Sequence, residues 1–371
     1  MIEQLPWVLI VGTALLLALQ LFVLLNALKH LLGHDELPTA ALSHAPFISV
    51  IVPARNEADH IRALLDDLRA QDYPTDRFEV IVVDDGSEDS TQAQVHPSAQ
   101  PSVRLLELMG AAGKKAAIEL GVSNANGDII VITDADGRCG PLRLKSVAQA
   151  WRSATFDLLL MPIAVRSDNS FLQELQANEQ AGFMAVAIAS ARAGNALIGN
   201  GANMAFRRST FQLLDGYDGN RQFVSGDDMF LLRKMQMANK TVICLAVPEV
   251  VVHVPAASSW KSFLDQRLRW AGKMKATGSG GMKLLPAIAL SLPVMLWACT
   301  VVHLSQPILV MALWGAWLVP IVVITTSINE TINRKPSPFA VALDLVLFSI
   351  YAPVIAVLSL MHKPTWKGRR T

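Results

Sequence analysis

Residues 78–87 read Phe-Glu-Val-Ile-Val-Val-Asp-Asp-Gly-Ser. A short apolar, β-branched run halted by a turn sequence is a buried strand. The pattern occurs twice more. Phe47-Ile-Ser-Val-Ile-Val-Pro53 comes before it and ends in proline. Asp128-Ile-Ile-Val-Ile-Thr133 comes after it and runs into Asp134. Between the first two, Ile61, Leu64, Leu65 and Leu68 stand at helical spacing within residues 58–71. Residues 114–125 read as another helix. Strand and helix in alternation give an α/β domain, a mostly parallel sheet with helices on both faces. Ligands of such sheets bind beyond the carboxyl ends of the strands. Polar clusters stand at those ends: Arg55-Asn56-Glu57, Asp84-Asp85 and Asp134-Ala135-Asp136.

Carboxylates gathered on one rim repel each other unless a cation lies among them. Mg2+ or Mn2+ with hard oxygen ligands is the economical cation, with Asp134 and Asp136 facing it from one turn. Taken singly, Asp84-Asp85-Gly86-Ser87 also reads as a plain capped turn. Ser225-Gly226-Asp227-Asp228 opens a helix, where acids also serve as caps and dipole partners. Gln266, Arg269 and Trp270 fall at i, i+3 and i+4 and share a helical face. That face suits a diphosphate and a ring. The helix also reads as membrane-lying, with Trp260, Phe263, Leu264, Leu268 and Ala271 on its apolar stripe and Lys261, Arg267, Lys273 and Lys275 toward anionic lipid. Residues 180–197 read as an apolar helix, buried in a core or under the membrane face. His253 reads as a structural histidine at a strand end.

The chain has 371 residues, 52% hydrophobic and only 17% charged, against about 25% charged in an ordinary soluble domain. Mean hydropathy is +0.36. Net charge is +1, from 32 basic and 31 acidic residues, so no global field draws it to nucleic acid. Three scattered cysteines argue against a disulfide scaffold and against a zinc site. The apolar excess lies at the two ends. Residues 5–28 carry no charge and can span about 30 Å of hydrocarbon. The start, Met-Ile-Glu-Gln, has no basic residue, and the run is too long for a signal peptide. Residues 284–302, 307–328 and 339–361 follow the same logic, the last holding Asp344 and Pro353. Basic residues after the first run and before the second place the central block in the cytoplasm. A fourth full crossing would put the basic 362–371 tail outside, so the last run is expected either as a re-entrant or surface-lying segment, bent at Pro353, which is preferred, or as a third C-terminal span.

Taken together, the short motifs are similar to those of the membrane-bound family 2 glycosyltransferases of GT-A fold. They are Pro53-Ala54-Arg55-Asn56-Glu57, Val83-Asp84-Asp85-Gly86-Ser87, Gly113-Lys114, Asp134-Ala135-Asp136, Asn200-Gly201-Ala202-Asn203 with Arg207-Arg208, Asp227-Asp228, and Gln266 through Trp270. They run in family order over about residues 47–275. The resemblance implies that Pro53 to Glu57 and Asp84, Asp85, Gly86 and Ser87 hold the nucleoside of a nucleotide sugar, with Lys114 in support. It implies Asp134 and Asp136 for metal and diphosphate, and Asp228 as general base. Gln266, Arg269 and Trp270 match the Q-x-x-R-W motif at the diphosphate and acceptor mouth. Asn200, Gly201 and Asp227 fall on the acceptor side. Glu119 stands where the family often has Asn, and Asp227 replaces the usual Glu.

The organisation expected is a transmembrane helix in 1–30, a cytoplasmic catalytic domain in 31–283 with an interfacial helix at 258–275, a membrane region in 284–361 and a basic tail in 362–371. The expected activity is inverting, metal-dependent transfer of one sugar to a membrane lipid, with a UDP-sugar ahead of a GDP-sugar as donor. The expected location is the bacterial inner membrane. A processive polysaccharide synthase stays open as the alternative, as does a nucleotidyltransferase that would not need Asp228 or the Gln266 to Trp270 face. A non-catalytic membrane partner is disfavoured because no expected carboxylate is missing.

Overall fold

The computed structural model describes residues 5–31, 33, 35, 45–109, 113–168, 170–221, 226–277, 280–361, 365–366 and 369–370. The chain divides into two compact units. One is built from Met1–Gly33, Asp168–Ala189 and Ala257–Thr371, the other from His34–Ser167 and Ser190–Ala256. Thus residues 168–189 and 257–277, which the sequence groups with the central block, pack with the apolar ends.

In chain order the elements begin with α1 (Leu5–Leu31), β1 (Ile48–Ala54), α2 (Ile61–Arg69), β2 (Phe78–Asp84), α3 (Thr91–Gln94), β3 (Ser98–Ala99), β4 (Ser102–Glu107), α4 (Gly113–Ser123) and β5 (Ile129–Thr133). Next come β6 (Arg138–Cys139), α5 (Arg143–Ser153), β7 (Leu158–Leu160), β8 (Ile163–Val165), α6 (Phe171–Arg192), β9 (Asn203–Arg207), α7 (Arg208–Leu213), α8 (Asp227–Met237), β10 (Val242–Cys244) and β11 (Val252–Val254). Then come four helices, α9 (Trp260–Thr277), α10 (Gly280–Val302), α11 (Pro307–Thr331) and α12 (Pro338–Leu358), and the short antiparallel pair β12 (Thr365–Trp366) and β13 (Arg369–Arg370).

The His34–Ser167 and Ser190–Ala256 unit holds an eight-stranded sheet in the order β10-β7-β9-β5-β1-β2-β4-β3. β1 lies parallel to β2 and β5, in register Val50↔Val80 and Val50↔Val131. These strands are buried on both faces, with Ile48, Val80, Ile81, Ile129 and Ile130 fully enclosed. That is why they read as continuous rather than alternating apolar runs. β9 runs antiparallel to both β5 and β7, a reversal that the strand–helix alternation did not announce. A smaller sheet joins β6, β11 and β8.

One buried polar hub braces the strand ends. Arg143, fully enclosed, donates from Nη2 to Ile132 O at 3.2 Å and to Asn203 Oδ1 at 2.9 Å. Asn203 Nδ2 donates to Pro162 O and Val250 O, both at 2.7 Å. Asn203 is therefore a scaffold residue, which accounts for its place in the Asn200–Asn203 segment.

In the other unit, Trp7–Leu31, Pro307–Thr331 and Pro338–Leu358 are long and apolar enough to cross a membrane, with a shorter apolar stretch at Ala289–Val302. Leu17, Leu292, Leu296, Cys299, Leu313 and Trp317 form their common core. Polar tips are matched inside it: Trp297 Nε1 donates to Ser349 Oγ at 3.0 Å and Trp314 Nε1 to Thr300 Oγ1 at 2.9 Å. α12 continues as one helix through Pro353. Proline is tolerated in membrane helices where neighbours satisfy the freed backbone. Asp344 is not isolated either, since Asn178 Nδ2 of α6 donates to its Oδ2 at 2.7 Å.

Candidate active site

β1 and β2 end in register at Ala54↔Asp84. The loops beyond them are tied together. Asp85 N donates to Ala54 O at 2.8 Å, and Arg55 Nη1 to Asp85 O at 2.9 Å. Asn56 holds φ 51°, a left-handed conformation that asparagine tolerates. Its Oδ1 accepts from Glu88 N at 2.8 Å, and its N–H donates to Ser87 Oγ at 3.0 Å. Glu57 N donates to Thr91 Oγ1 at 2.7 Å. Pro53 through Ser87 thus form one built rim.

Within that rim Asp84 is a turn cap. It is 1% exposed and accepts from Ser87 N at 3.1 Å, Gln92 Nε2 at 2.8 Å and the Ser87 hydroxyl. Asp85 Oδ1 accepts from Gly113 N at 3.1 Å and so fixes the start of α4, which carries Lys114.

Lys114 is the centre of the charge arrangement. Its ammonium lies 2.7 Å from Asp134 Oδ1 and 3.1 Å from Asp227 Oδ2. Burial works against its charge, but Asp134, Asp227 and Asp228 outweigh that and hold its pKa well above the ordinary lysine value. The Lys114 ammonium thus offsets part of the charge of Asp134 and Asp227, beside the divalent ion that the sequence reading expects at Asp134 and Asp136.

Asp227 and Asp228 open α8. The residue before them, Gly226, has φ 86°, a conformation glycine adopts without a Cβ penalty. Asp228 Oδ1 accepts from Met229 N at 2.8 Å and its Oδ2 from Gly201 N at 3.3 Å. Gly201 has no room for a side chain: a Cβ there would sit 2.5 Å from Asp227 Oδ2 and 3.0 Å from Lys114 Nζ. Gly201→Ala is expected to cost about 1–3 kcal/mol through this overlap and to lower turnover. A melting curve equal to that of the unmodified chain would contradict the close approach. So α4, β5, the segment before β9 and α8 bring Lys114, Asp134, Gly201, Asp227 and Asp228 together at one end of the sheet.

Residues 49–214 match the family model described as Glycosyl transferase family 2. That match lies within the central domain and takes in β1 to β9. The chain is 30% identical to a beta-monoglucosyldiacylglycerol synthase of Synechocystis sp., over 61% of this chain and 47% of that one. It is 36% identical to a dolichyl-phosphate beta-glucosyltransferase of Trichomonas vaginalis, over 27% of this chain and 32% of that one. The chain thus spans about a third to a half of these relatives. Among solved structures it resembles the mannosyltransferase PcManGT of Pyrobaculum calidifontis, in complex with GDP-Man and Mn2+. The TM-score is 0.63 at 22% identity, over 96% of this chain and 99% of that one. This likeness establishes the GT-A fold.

Asp134 and Asp136 flank a tight turn closed by Gly137 N donating to Asp134 O at 3.0 Å. Among the described residues, no three His, Cys, Asp or Glu side chains converge as a metal group. Two carboxylates from one turn are nevertheless the share a protein gives Mg2+ or Mn2+ when substrate phosphates complete the shell. The residues fit a divalent ion that arrives with a diphosphate.

Two residues acquire roles that sequence reasoning missed. Glu119 Oε1 accepts from Tyr217 N at 2.9 Å, and Arg221 Nε lies 3.2 Å from Glu119 Oε2; this departure from the family pattern anchors the loop ahead of α8. Tyr217 is enclosed, 1% exposed. Burial, and then the charges of Asp227, Asp228 and Glu119, push its phenol well above the ordinary value.

Gln266, Arg269 and Trp270 lie on α9, in the unit that contains the apolar helices. Arg267, expected to face lipid, is instead 6% exposed and paired with Glu179 of α6. The side chains of Lys273 and Lys275 lie outside the described residues.

Proposed function

We propose that this chain is an inverting glycosyltransferase that moves one sugar from a nucleotide sugar to a membrane lipid at the cytoplasmic face. A UDP-sugar is preferred to a GDP-sugar as donor. The observation that carries this reading is the convergence of Asp134, Lys114, Asp227 and Asp228 beyond the strand ends of a domain that matches the family 2 model. The relatives' names, a diacylglycerol glucoside synthase and a dolichyl-phosphate glucosyltransferase, support a lipid acceptor. The candidate membrane helices support the same choice. Integral insertion in a bacterial inner membrane is the location that fits it.

The rim from Pro53 to Ser87 receives the nucleoside. Asp134 and Asp136 are the residues that would hold Mg2+ or Mn2+. Such an ion, when bound, neutralises charge on the leaving diphosphate. Asp228 accepts the proton of the acceptor hydroxyl while that oxygen attacks the anomeric carbon in line. The new C–O bond forms as the bond to the diphosphate oxygen breaks, and the electron pair leaves with the nucleoside diphosphate. One displacement inverts the centre, so a single base suffices. Lys114 holds Asp134 and Asp227 in place during this step. On the family resemblance, Arg269 offsets charge on the leaving group and Gln266 and Trp270 line the mouth. Asn200 and Gly201 stand on the acceptor side.

The test is nucleoside-diphosphate release by the full-length chain in membranes, across a panel of nucleotide sugars. EDTA is expected to abolish release, and added Mg2+ or Mn2+ to restore it. Release that persists in EDTA would overturn the metal assignment. Pyrophosphate as the product would overturn sugar transfer in favour of nucleotidyl transfer.

A further inference from the structure

Lys114 and Lys115 stand side by side in the first turn of α4 and, as helical neighbours, point about 100° apart. Lys114 grips Asp134 and Asp227. Lys115 turns inward and is 4% exposed. Its ammonium donates to Asn220 O at 2.8 Å and stands 4.2 Å from the centroid of the Phe230 ring. Asn220 lies ahead of α8, and Phe230 N donates to Gly226 O at 2.9 Å, closing the first turn of that helix. The ring leans back on the same turn, since a Cβ added at Gly226 would meet Phe230 Cε2 at 3.4 Å. The approach to α8 is held twice more. Glu119, one turn along α4, accepts from Tyr217 N at 2.9 Å, and Lys234 of α8 donates to Gly216 O at 2.9 Å.

Burying an ammonium is costly, and lysine is rarely enclosed unless it is paired. Here a carbonyl and the negative face of a ring receive it. An apolar side chain would fill this place without that cost, so packing alone does not call for a lysine. We propose that Lys115 is a positioning residue for Asp228: through Asn220 and Phe230 it fixes the first turn of α8, which Lys114 holds through Asp227. This rests on the reading of Asp228 as general base given above. Asp228 stands in the chain between the two points of attachment, Asp227 and Phe230, so a shift or rotation of the turn moves its carboxylate. A displacement of about 1 Å can cost about a hundredfold in rate. The two lysines divide the work. Lys114 meets the acids, and Lys115 meets the backbone and the ring beside them.

The test uses the full-length protein in lipid nanodiscs. Nucleoside-diphosphate release, calorimetric binding of the nucleoside diphosphate and thermal melting are read on the same samples. Rates are taken well below every melting midpoint, so a loss of stability alone leaves kcat unchanged. Lys115→Met keeps an unbranched stem and removes the charge and the bond. It is expected to lower kcat by about ten- to a hundredfold, with nucleotide affinity within a few-fold of the unmodified chain. In an Asp228→Asn chain the same change should cost little further, because both act through one carboxylate. Losses that multiply would overturn the inference, as would a fall in nucleotide affinity as large as the fall in rate. Phe230→Leu keeps the bond to Asn220 and removes the ring face. It should lower kcat as well, and its effect should shrink in the Lys115→Met chain. If Lys115→Met does not fold, Phe230→Leu decides, and a kcat equal to that of the unmodified chain overturns the inference. Turnover that both variants leave unchanged would refute the inference while sparing the transferase reading. An unmodified chain that binds a nucleoside diphosphate yet releases none from any donor would refute the transferase reading, and this inference with it.

Discussion

Replacing Asp228 with Asn is expected to lower turnover by about a thousandfold, within the range a general base supplies, while nucleotide affinity stays within a few-fold of the unmodified chain. The argument is local. Asp228 is partly exposed at the start of α8, and its two oxygens accept from Met229 N and Gly201 N. An Asn keeps the shape and one of these bonds. Its NH2 would then face the Gly201 N–H, donor against donor, a loss of about 1 kcal/mol. The fold and the rim from Pro53 to Ser87 are untouched by that change. The check is nucleoside-diphosphate release beside calorimetric nucleotide binding. A variant that keeps its rate within a few-fold would remove Asp228 from the chemistry.

Lys114→Met has the second large effect, and it acts on stability as well as on rate. The substitution leaves Asp134 and Asp227 without the ammonium that lies 2.7 and 3.1 Å from them. Removing one partner of a fully buried pair costs about 3–5 kcal/mol. Asp134 is 35% exposed, and water screens part of that penalty. A loss of about 2–3 kcal/mol is therefore expected, read as a lower unfolding midpoint. A second change, Asp227→Asn in the same chain, removes one of the two stranded charges and should recover part of the loss. A Lys114→Met protein that unfolds like the unmodified chain would show that the ammonium does not hold the two acids.

Much of this was legible in the sequence, and the reason is locality. The strand ending in Asp84 is a short apolar run with a turn after it, and a single window contains both signals. The same holds for β1, for β5 and for the Asp134-Ala135-Asp136 turn. What escaped is pairing between distant segments. That Lys114 pairs with Asp134 and Asp227 depends on α4 and α8 meeting the end of β5 in space. Asp84 also caps its own turn, and Glu119 of α4 accepts from Tyr217 N, 98 positions later. Arg267 looks like one more basic residue on an amphipathic helix until Glu179, 88 positions earlier, is seen beneath it. The antiparallel β9 and the Arg143–Asn203 hub left no local pattern, since Asn203 reads as a loop residue. At the C-terminus, the basic tail suggested a re-entrant segment, with Pro353 as the place for its bend. In an apolar helix proline is compatible with continuity, and α12 runs through Pro353.

The central claim is transfer of a single sugar to a lipid, and one measurement bears on it most directly. Vesicles carrying the full-length chain would be supplied with nucleotide sugars labelled in the sugar, then extracted with organic solvent, with Asp228→Asn vesicles in parallel. The account predicts label in the lipid fraction, one sugar per lipid, from one preferred donor and lost in the variant. Label in a water-soluble polymer instead would make the chain a polysaccharide synthase, and label equally incorporated by the variant would contradict the mechanism.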